Sequence, residues 1–165
     1  EHLRARYPAV VALRANLVAL PVADGSVDVV VSSQVLEHLW DQPRFVRECA
    51  RVLRPGGRLL LSTPNRRTFP PGNVFHSREL DAGELAALLG ETLRVERVLG
   101  VHHGPRLQAW EAAHGDLVRA QVAEPPDRWA AGLRDLVGAV SGADFTVTGD
   151  DVDASLDLVA VAVRP

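Results

Sequence analysis

Residues 27–65 read VDVVVSSQVLEHLWDQPRFVRECARVLRPGGRLLLSTPN. The stretch opens on a near-continuous β-branched run, 27–31. Such a run lacks the alternation of a half-exposed strand and predicts a parallel strand covered on both faces. Asp41 is a good N-cap, and Pro43 falls in the first turn after it. Phe45, Val46, Cys49, Val52 and Leu53 then recur at the i, i+1, i+4, i+7, i+8 spacing of a helix packed on a sheet. Arg51 and Arg54 sit in the last turn, where cations suit the helix dipole. Pro55-Gly56-Gly57 ends the helix, and 58–62 (RLLLS) is the next buried strand. Two parallel strands joined by one helix make a βαβ unit, right-handed in nearly all cases. Ser32, Ser33 and Gln34 crowd the exit of the first strand, and Thr63 and Asn65 that of the second. In open α/β sheets ligands bind just beyond such exits.

Working outward, residues 1–7 read as the end of a helix stopped by Pro8. Residues 10–14 form a short apolar run, read as a strand, with 15–17 as its exit loop and 21–26 (PVADGS) as a turn. Residues 63–77 make a loop of the length usually reserved for binding or lid segments. A short helix over 81–90 precedes a less buried strand over 93–101, where apolar and polar residues alternate. Residues 105 to about 123 are helical in pattern, 124–127 (EPPD) break the pattern, and 129–140 resume it. A short strand at 145–148 and a final strand at 156–163 (LDLVAVAV) close the chain.

The chain has 165 residues and 47% hydrophobic content, enough for one domain with a real core. The fold class these elements predict is α/β, a Rossmann-like, mostly parallel sheet with helices on both faces. Net charge is −3, from 18 basic and 21 acidic residues, which gives no support for nucleic acid or an anionic membrane as the main partner. No apolar run reaches the length of a membrane span and no secretory leader is present, so the expected location is cytoplasmic. One cysteine, Cys49, excludes a disulfide framework and a cysteine-rich metal site. Every basic residue other than histidine is Arg, and Lys, Ile and Met are missing. That bias follows from a GC-rich coding sequence and points to an actinobacterial type of source. With no Met, Glu1 is not expected to be a natural start.

The series from residue 10 to 65 resembles, in order and spacing, the middle of class I S-adenosylmethionine-dependent methyltransferases of the type 11 kind. Asn16-Leu17 falls at the exit of the family's third strand, and 27–31 resembles its fourth. Residues 35–39 (VLEHL) resemble the turn after that strand, and 53–57 (LRPGG) the run into the fifth. The resemblance covers about residues 10–90. It implies one methyltransferase domain over 1–165, incomplete at its N-terminus, with 102–154 as a substrate-side helical insertion and the last strand antiparallel beside the fifth. The family's glycine-rich loop and ribose-binding acid have no counterpart here, so the first part of such a domain is expected upstream.

By resemblance, S-adenosylmethionine is the cofactor and S-adenosylhomocysteine the product. Asn16 then meets the adenine amino edge, the Leu17 backbone amide a ring nitrogen, Ser33 and Gln34 the amino acid end, and His38 the turn above the cofactor. An amide side chain can donate and accept on one base edge, which suits Asn16, although Asn also commonly closes a turn. Some relatives carry Glu-x-x-Glu-His at 34–38 and bind a divalent ion there. Gln34 replaces the first Glu, which weakens a site for a hard cation, so no metal is expected. Transfer to a hydroxyl needs a base, for which His is the usual choice. His103, at the exit of the strand over 93–101, is the first candidate and His76 the second, ahead of His38 and His102. Arg66, Arg67, Arg78 and Arg106 flank the same edge, where convergence would suit an anionic or polyhydroxylated substrate. Trp110 and Trp129 read as core. The expected partner is a small-molecule acceptor carrying a sugar or phenol/quinone hydroxyl. A non-catalytic Rossmann-like binding domain and a metal-assisted RNA methyltransferase are the alternatives.

Overall fold

The computed structural model describes residues 6–165. The helix end expected at 1–7 lies largely outside them. Five strands, β1 (Val27–Ser33), β2 (Leu53–Pro64), β3 (Arg94–His103), β4 (Phe145–Thr148) and β5 (Asp157–Val163), form one sheet in the order β1-β2-β5-β3-β4. β1 and β2 are parallel, with Val30 opposite Leu59 and Ser33 opposite Ser62. β5 is antiparallel to both β2 and β3, so β1, β2 and β3 run one way and the last strand is inserted between two of them. The carboxyl ends of β1, β2 and β3 and the first residues of β5 therefore lie along one edge.

The crossover between β1 and β2 is α1 (Gln42–Val52). The Asp41 side chain accepts the Arg44 N–H at 3.0 Å, and Phe45, Val46, Cys49 and Val52 are the buried stripe, as the spacing requires. Burial pushes the Cys49 thiol up to about 12, so it is a core group and no nucleophile. Arg51 ties α1 to the turn before β1: its guanidinium donates to the Leu20 and Val22 carbonyls and pairs with Glu48 and Asp24. Hydrogen bonds from Arg51 hold the Glu48 carboxyl below its usual range.

Pro55-Gly56-Gly57 does not separate helix from strand. β2 starts at Leu53, and the three residues form an irregularity within it, where the register with β1 shifts between Val27 and Val29. Gly56 has φ +75°, and a Cβ on Gly57 would lie 2.9 Å from the Arg54 carbonyl oxygen, so both positions need glycine.

A capping box between Asp81 and Glu84 starts α2 (Ala82–Gly90), which buries Leu85 and Leu89. α1 and α2 cover one face of the sheet, with Leu59, Leu61, Leu158, Ala160 and Ala162 beneath them. The opposite face is open near β1, where Val29 is 50% and Val31 69% exposed. The expectation that the 27–31 run is covered on both faces does not hold here. β1 is an edge strand of this sheet, and no helix among the described residues lies over that side. The strand expected at 10–14 is likewise absent. Those residues are irregular, with one isolated bridge from Asn16 to Ala19, since no strand among the described residues pairs with them.

Beyond β3 the chain forms α3 (Pro105–His114), α4 (Leu117–Ala123) and α5 (Ala131–Gly138). The single helix expected to about 123 is two helices, because Gly115 turns the chain at φ +90° and Asp116 caps α4 through the Arg119 N–H. Leu107, Leu117 and Leu133 form their shared core, with Trp110, Trp129 and Phe145 packed around it. This unit sits at the carboxyl end of β3. No helix among the described residues is long and apolar enough to cross a membrane.

Candidate functional site at the carboxyl edge of the sheet

At the exit of β1, Gln34 takes a left-handed backbone, φ +53°, uncommon for a residue with a side chain. Its N–H donates to the Ser62 carbonyl at 3.0 Å, and its side chain acts on the Asp157 carboxyl at the start of β5. Burial raises the Asp157 carboxyl above its usual range; the nearby Glu37 charge adds to this and the Gln34 side chain opposes it. The Ser33 and Ser62 hydroxyls are 3.0 Å apart and exposed. Asp157 is a position the sequence reading passed over. Its signal was the acid opening an apolar final strand: if that strand is antiparallel, its first residue lies at the edge where the parallel strands end.

Asn65, expected among the ligand-facing residues, is fully buried and structural. Its amide donates to the Val152, Asp153 and Ser155 carbonyls and so pins the exit of β2 to the segment before β5. Asn16 closes its own turn: its side-chain oxygen accepts the Val18 N–H at 3.1 Å, while its carbonyl accepts the Ala19 N–H. Leu17 is exposed beside it. The turn is anchored to α1 where the Leu20 N–H donates to Glu48.

A second group surrounds the 3₁₀ turn Leu36–His38. Glu37 is 1% exposed and accepts the Thr63 hydroxyl at 3.1 Å. His38 donates from Nδ1 to the Phe75 carbonyl at 2.9 Å. His76 contacts the Glu79 carboxylate through Nδ1 at 2.6 Å and the Asn73 amide through Nε2 at 3.0 Å. Ligand atoms of Glu37, His38 and His76 lie within 4.8 Å of one another. One carboxylate and two imidazoles would suit zinc better than a hard cation. Here both His76 nitrogens already have protein partners, the Glu79 carboxylate and the Asn73 amide.

The third group is at the exit of β3. His103 is 8% exposed, and its Nδ1 lies 3.0 Å from a Glu111 carboxylate oxygen. The ring forms part of the wall of a cavity of about 370 Å³ between the sheet edge and α3–α5. Phe69, Leu107, Leu117, Val137, Val140 and Phe145 make that cavity apolar, and Thr68, Gln121 and Asp157 supply polar points. His102 lies on the other face of β3, with Nε2 buried and unpartnered. The four arginines do not converge: Arg66 pairs with Asp81 and Glu84, Arg67 with Asp153, Arg78 with Glu84 and Arg106 with Asp144. The structure thus gathers Ser33, Gln34, His38 and His76 near the exits of β1 and β2. It puts His103 at the exit of β3 and Asn16 and Leu17 on a separate turn.

A family model described as "Methyltransferase domain" matches residues 1–61. The chain is 51% identical over 180 residues to a "probable S-adenosylmethionine-dependent methyltransferase" of Mycobacterium tuberculosis, covering 99% of this chain and 65% of that protein. A protein of the same printed description from Mycolicibacterium smegmatis is 53% identical, with 99% and 68% covered. The chain thus spans about two thirds of the length of these relatives. A ubiquinone biosynthesis O-methyltransferase of Caulobacter is 34% identical over 103 residues, 52% of this chain and 41% of that protein. Among solved structures, a methyltransferase of Thermotoga maritima, described as a possible histamine N-methyltransferase, superposes with a TM-score of 0.63 at 18% identity. It covers 98% of this chain and 67% of that one, a likeness of fold.

Proposed function

This chain belongs to the class I S-adenosylmethionine-dependent methyltransferases, and we propose that it serves O-methylation of a neutral small-molecule hydroxyl, of the sugar or phenol/quinone type. The observation that carries the reading is His103 in the wall of an apolar cavity at the carboxyl edge of the sheet. A general base must reach the proton it removes and sit where water is scarce. The apolar lining with two phenyl rings suits the flat face of a sugar or aromatic acceptor, and the pairing of every flanking arginine argues against an anionic one.

The cofactor, when bound, supplies a methyl group already activated on a sulfonium, so the protein's task is mainly alignment. The exposed Ser33 and Ser62 hydroxyls and the Gln34 backbone stand at the strand exits where a polar amino acid end would be held. Asn16 spends an acceptor lone pair on Val18 and keeps its amide hydrogens for a base edge. Gln34 and Asp157 connect that side to the cavity, since Asp157 both feels the Gln34 side chain and lines the cavity. His38 and His76 fix the loop over this edge, and His76 is the reserve candidate for the base. On this reading residues 102–154 are the substrate-side insertion of a single domain, and no metal is needed. Calorimetry of the intact protein with S-adenosylhomocysteine is expected to show micromolar binding. An absence of heat at millimolar ligand would sink the proposal.

A further inference from the structure

A histidine serves as base only if its free lone pair faces the acceptor. In a neutral imidazole the partner of one nitrogen decides which nitrogen that is. Nδ1 of His103 is 3.0 Å from one oxygen of Glu111, whereas Nε2 has no protein partner among the described residues. The other Glu111 oxygen accepts the backbone N–H of Leu117, the first residue of α4, at 3.1 Å. Glu111 therefore stands between a ring nitrogen and a backbone donor. A carboxylate is the side chain that offers two acceptors and no donor, so it can face both only if Nδ1 carries the proton.

The two cavities at this edge support the same assignment. His103 lines both the apolar cavity and a second one of about 280 Å³, while Glu111 lines only the second, with Gln108 and Asp116. His103 thus belongs to the wall the two cavities share, together with Thr68, Val118 and Leu156, and the Glu111 carboxylate lies on the side of the second. The Gln108 amide donates to the His103 carbonyl at 2.6 Å and fixes the backbone that carries the ring. His76 lacks such freedom, since Nδ1 meets Glu79 and Nε2 takes the Asn73 amide.

We propose that Glu111 is the positioning residue of the reaction. It holds His103 in the Nδ1–H form, leaves Nε2 as the base and stabilises the imidazolium that follows. The acceptor's O–H bond breaks toward Nε2 as its oxygen bonds the methyl carbon, the pair of the broken C–S bond stays on sulfur, and the proton passes from His103 to water. This inference rests on the reading of His103 as base.

The test uses the intact protein and two readouts. Two-bond ¹H–¹⁵N spectra report the tautomer, with the His103 signal identified by its loss in His103→Asn. The wild-type ring is expected to carry its proton on Nδ1, and Glu111→Ala to move it toward the Nε2–H form that a free imidazole side chain prefers. In parallel, labelled S-adenosylmethionine is offered with methyl glucoside or catechol. Glu111→Ala is expected to lower kcat about 10²-fold, the low end of what a general base contributes, with little change in KM. Glu111→Gln keeps one acceptor oxygen and guards against loss of the α4 cap; it is expected to fall between the two. An unchanged tautomer in Glu111→Ala, or full kcat there while His103→Asn loses transfer, overturns the role of Glu111. Full transfer in His103→Asn overturns the base itself, and the positioning role with it.

Discussion

Two regions of this molecule are held by very different amounts of core. The sheet and its two helices share a cluster that includes Leu36, Leu53, Leu59, Leu61, Leu85 and Leu158, all at most 1% exposed. The unit α3–α5 has three buried leucines, around which only partly buried residues pack, among them Trp110, Trp129, Leu136, Val137 and Phe145, with surface pairs beyond them. Trp129 donates to the Gln121 and Glu124 carbonyls, and Arg106 grips Asp144 with two nitrogens while also reaching the Ala139 carbonyl. The difference assigns roles. A large dry core fixes strand exits to within a fraction of an ångström, which suits groups that must be pre-aligned. A small core with polar latches permits the unit α3–α5 to open locally without unfolding the sheet.

The comparison is tested most severely in the core. Leu61→Ala is expected to cost about 2–5 kcal/mol, since a fully enclosed side chain leaves a cavity that cannot collapse. Leu133→Ala, at 8% exposure in the smaller cluster, is expected to cost no more than about 2 kcal/mol. Denaturant unfolding measures both, and equal costs break the distinction. A smaller, local effect is expected from Arg106→Ala. Arg106 holds the Asp144 carboxyl well below its usual range and so ties the start of α3 to the residues before β4. Amide exchange over 105–140 is expected to quicken several-fold while the sheet amides keep their protection. Exchange that rises equally in β2 and β5 would show that the two regions open as one.

The smallest expected effect is a pH slope at Asp157, where the regions meet. Its folded carboxyl is raised mainly by burial, so the folded state binds the proton more tightly than the unfolded chain. The stability this gives is fully present below the unfolded value of about 3.8 and is lost as pH rises through the raised folded value. Asp157→Asn is expected to flatten that part of the stability–pH curve and to leave the neutral protein at least as stable. Parallel curves for the two proteins above pH 4 would remove Asp157 from the buried edge.

The reading of α1 succeeded because a helix on a sheet writes its buried face into consecutive spacing, and Asp41 and Pro43 mark its start locally. β5 was legible for the same reason, as an apolar run too short for a helix. The error at Pro55-Gly56-Gly57 has a different origin. Glycines that end a helix and glycines that permit a bulge look alike in one dimension, and only the pairing of β1 with β2 distinguishes them. Residues 10–14 carry strand-like chemistry, but a strand forms only in a ladder, and no strand among the described residues pairs with them.

What the sequence determined by itself is the set of short-range features: the βαβ unit, the caps, the polar strand exits, and the histidine at the end of β3. Periodicity and capping are local, so they survive being read in order. What only the tertiary structure decided is which polar groups face one another. It spent Asn65 on three carbonyls, brought Gln34 to Asp157, paired off the arginines, and placed Glu111, eight positions beyond His103, against the ring. Those meetings depend on the register of β5 between β2 and β3 and on the turn at Gly115, and no pattern in a single chain of letters carries a distance between strands.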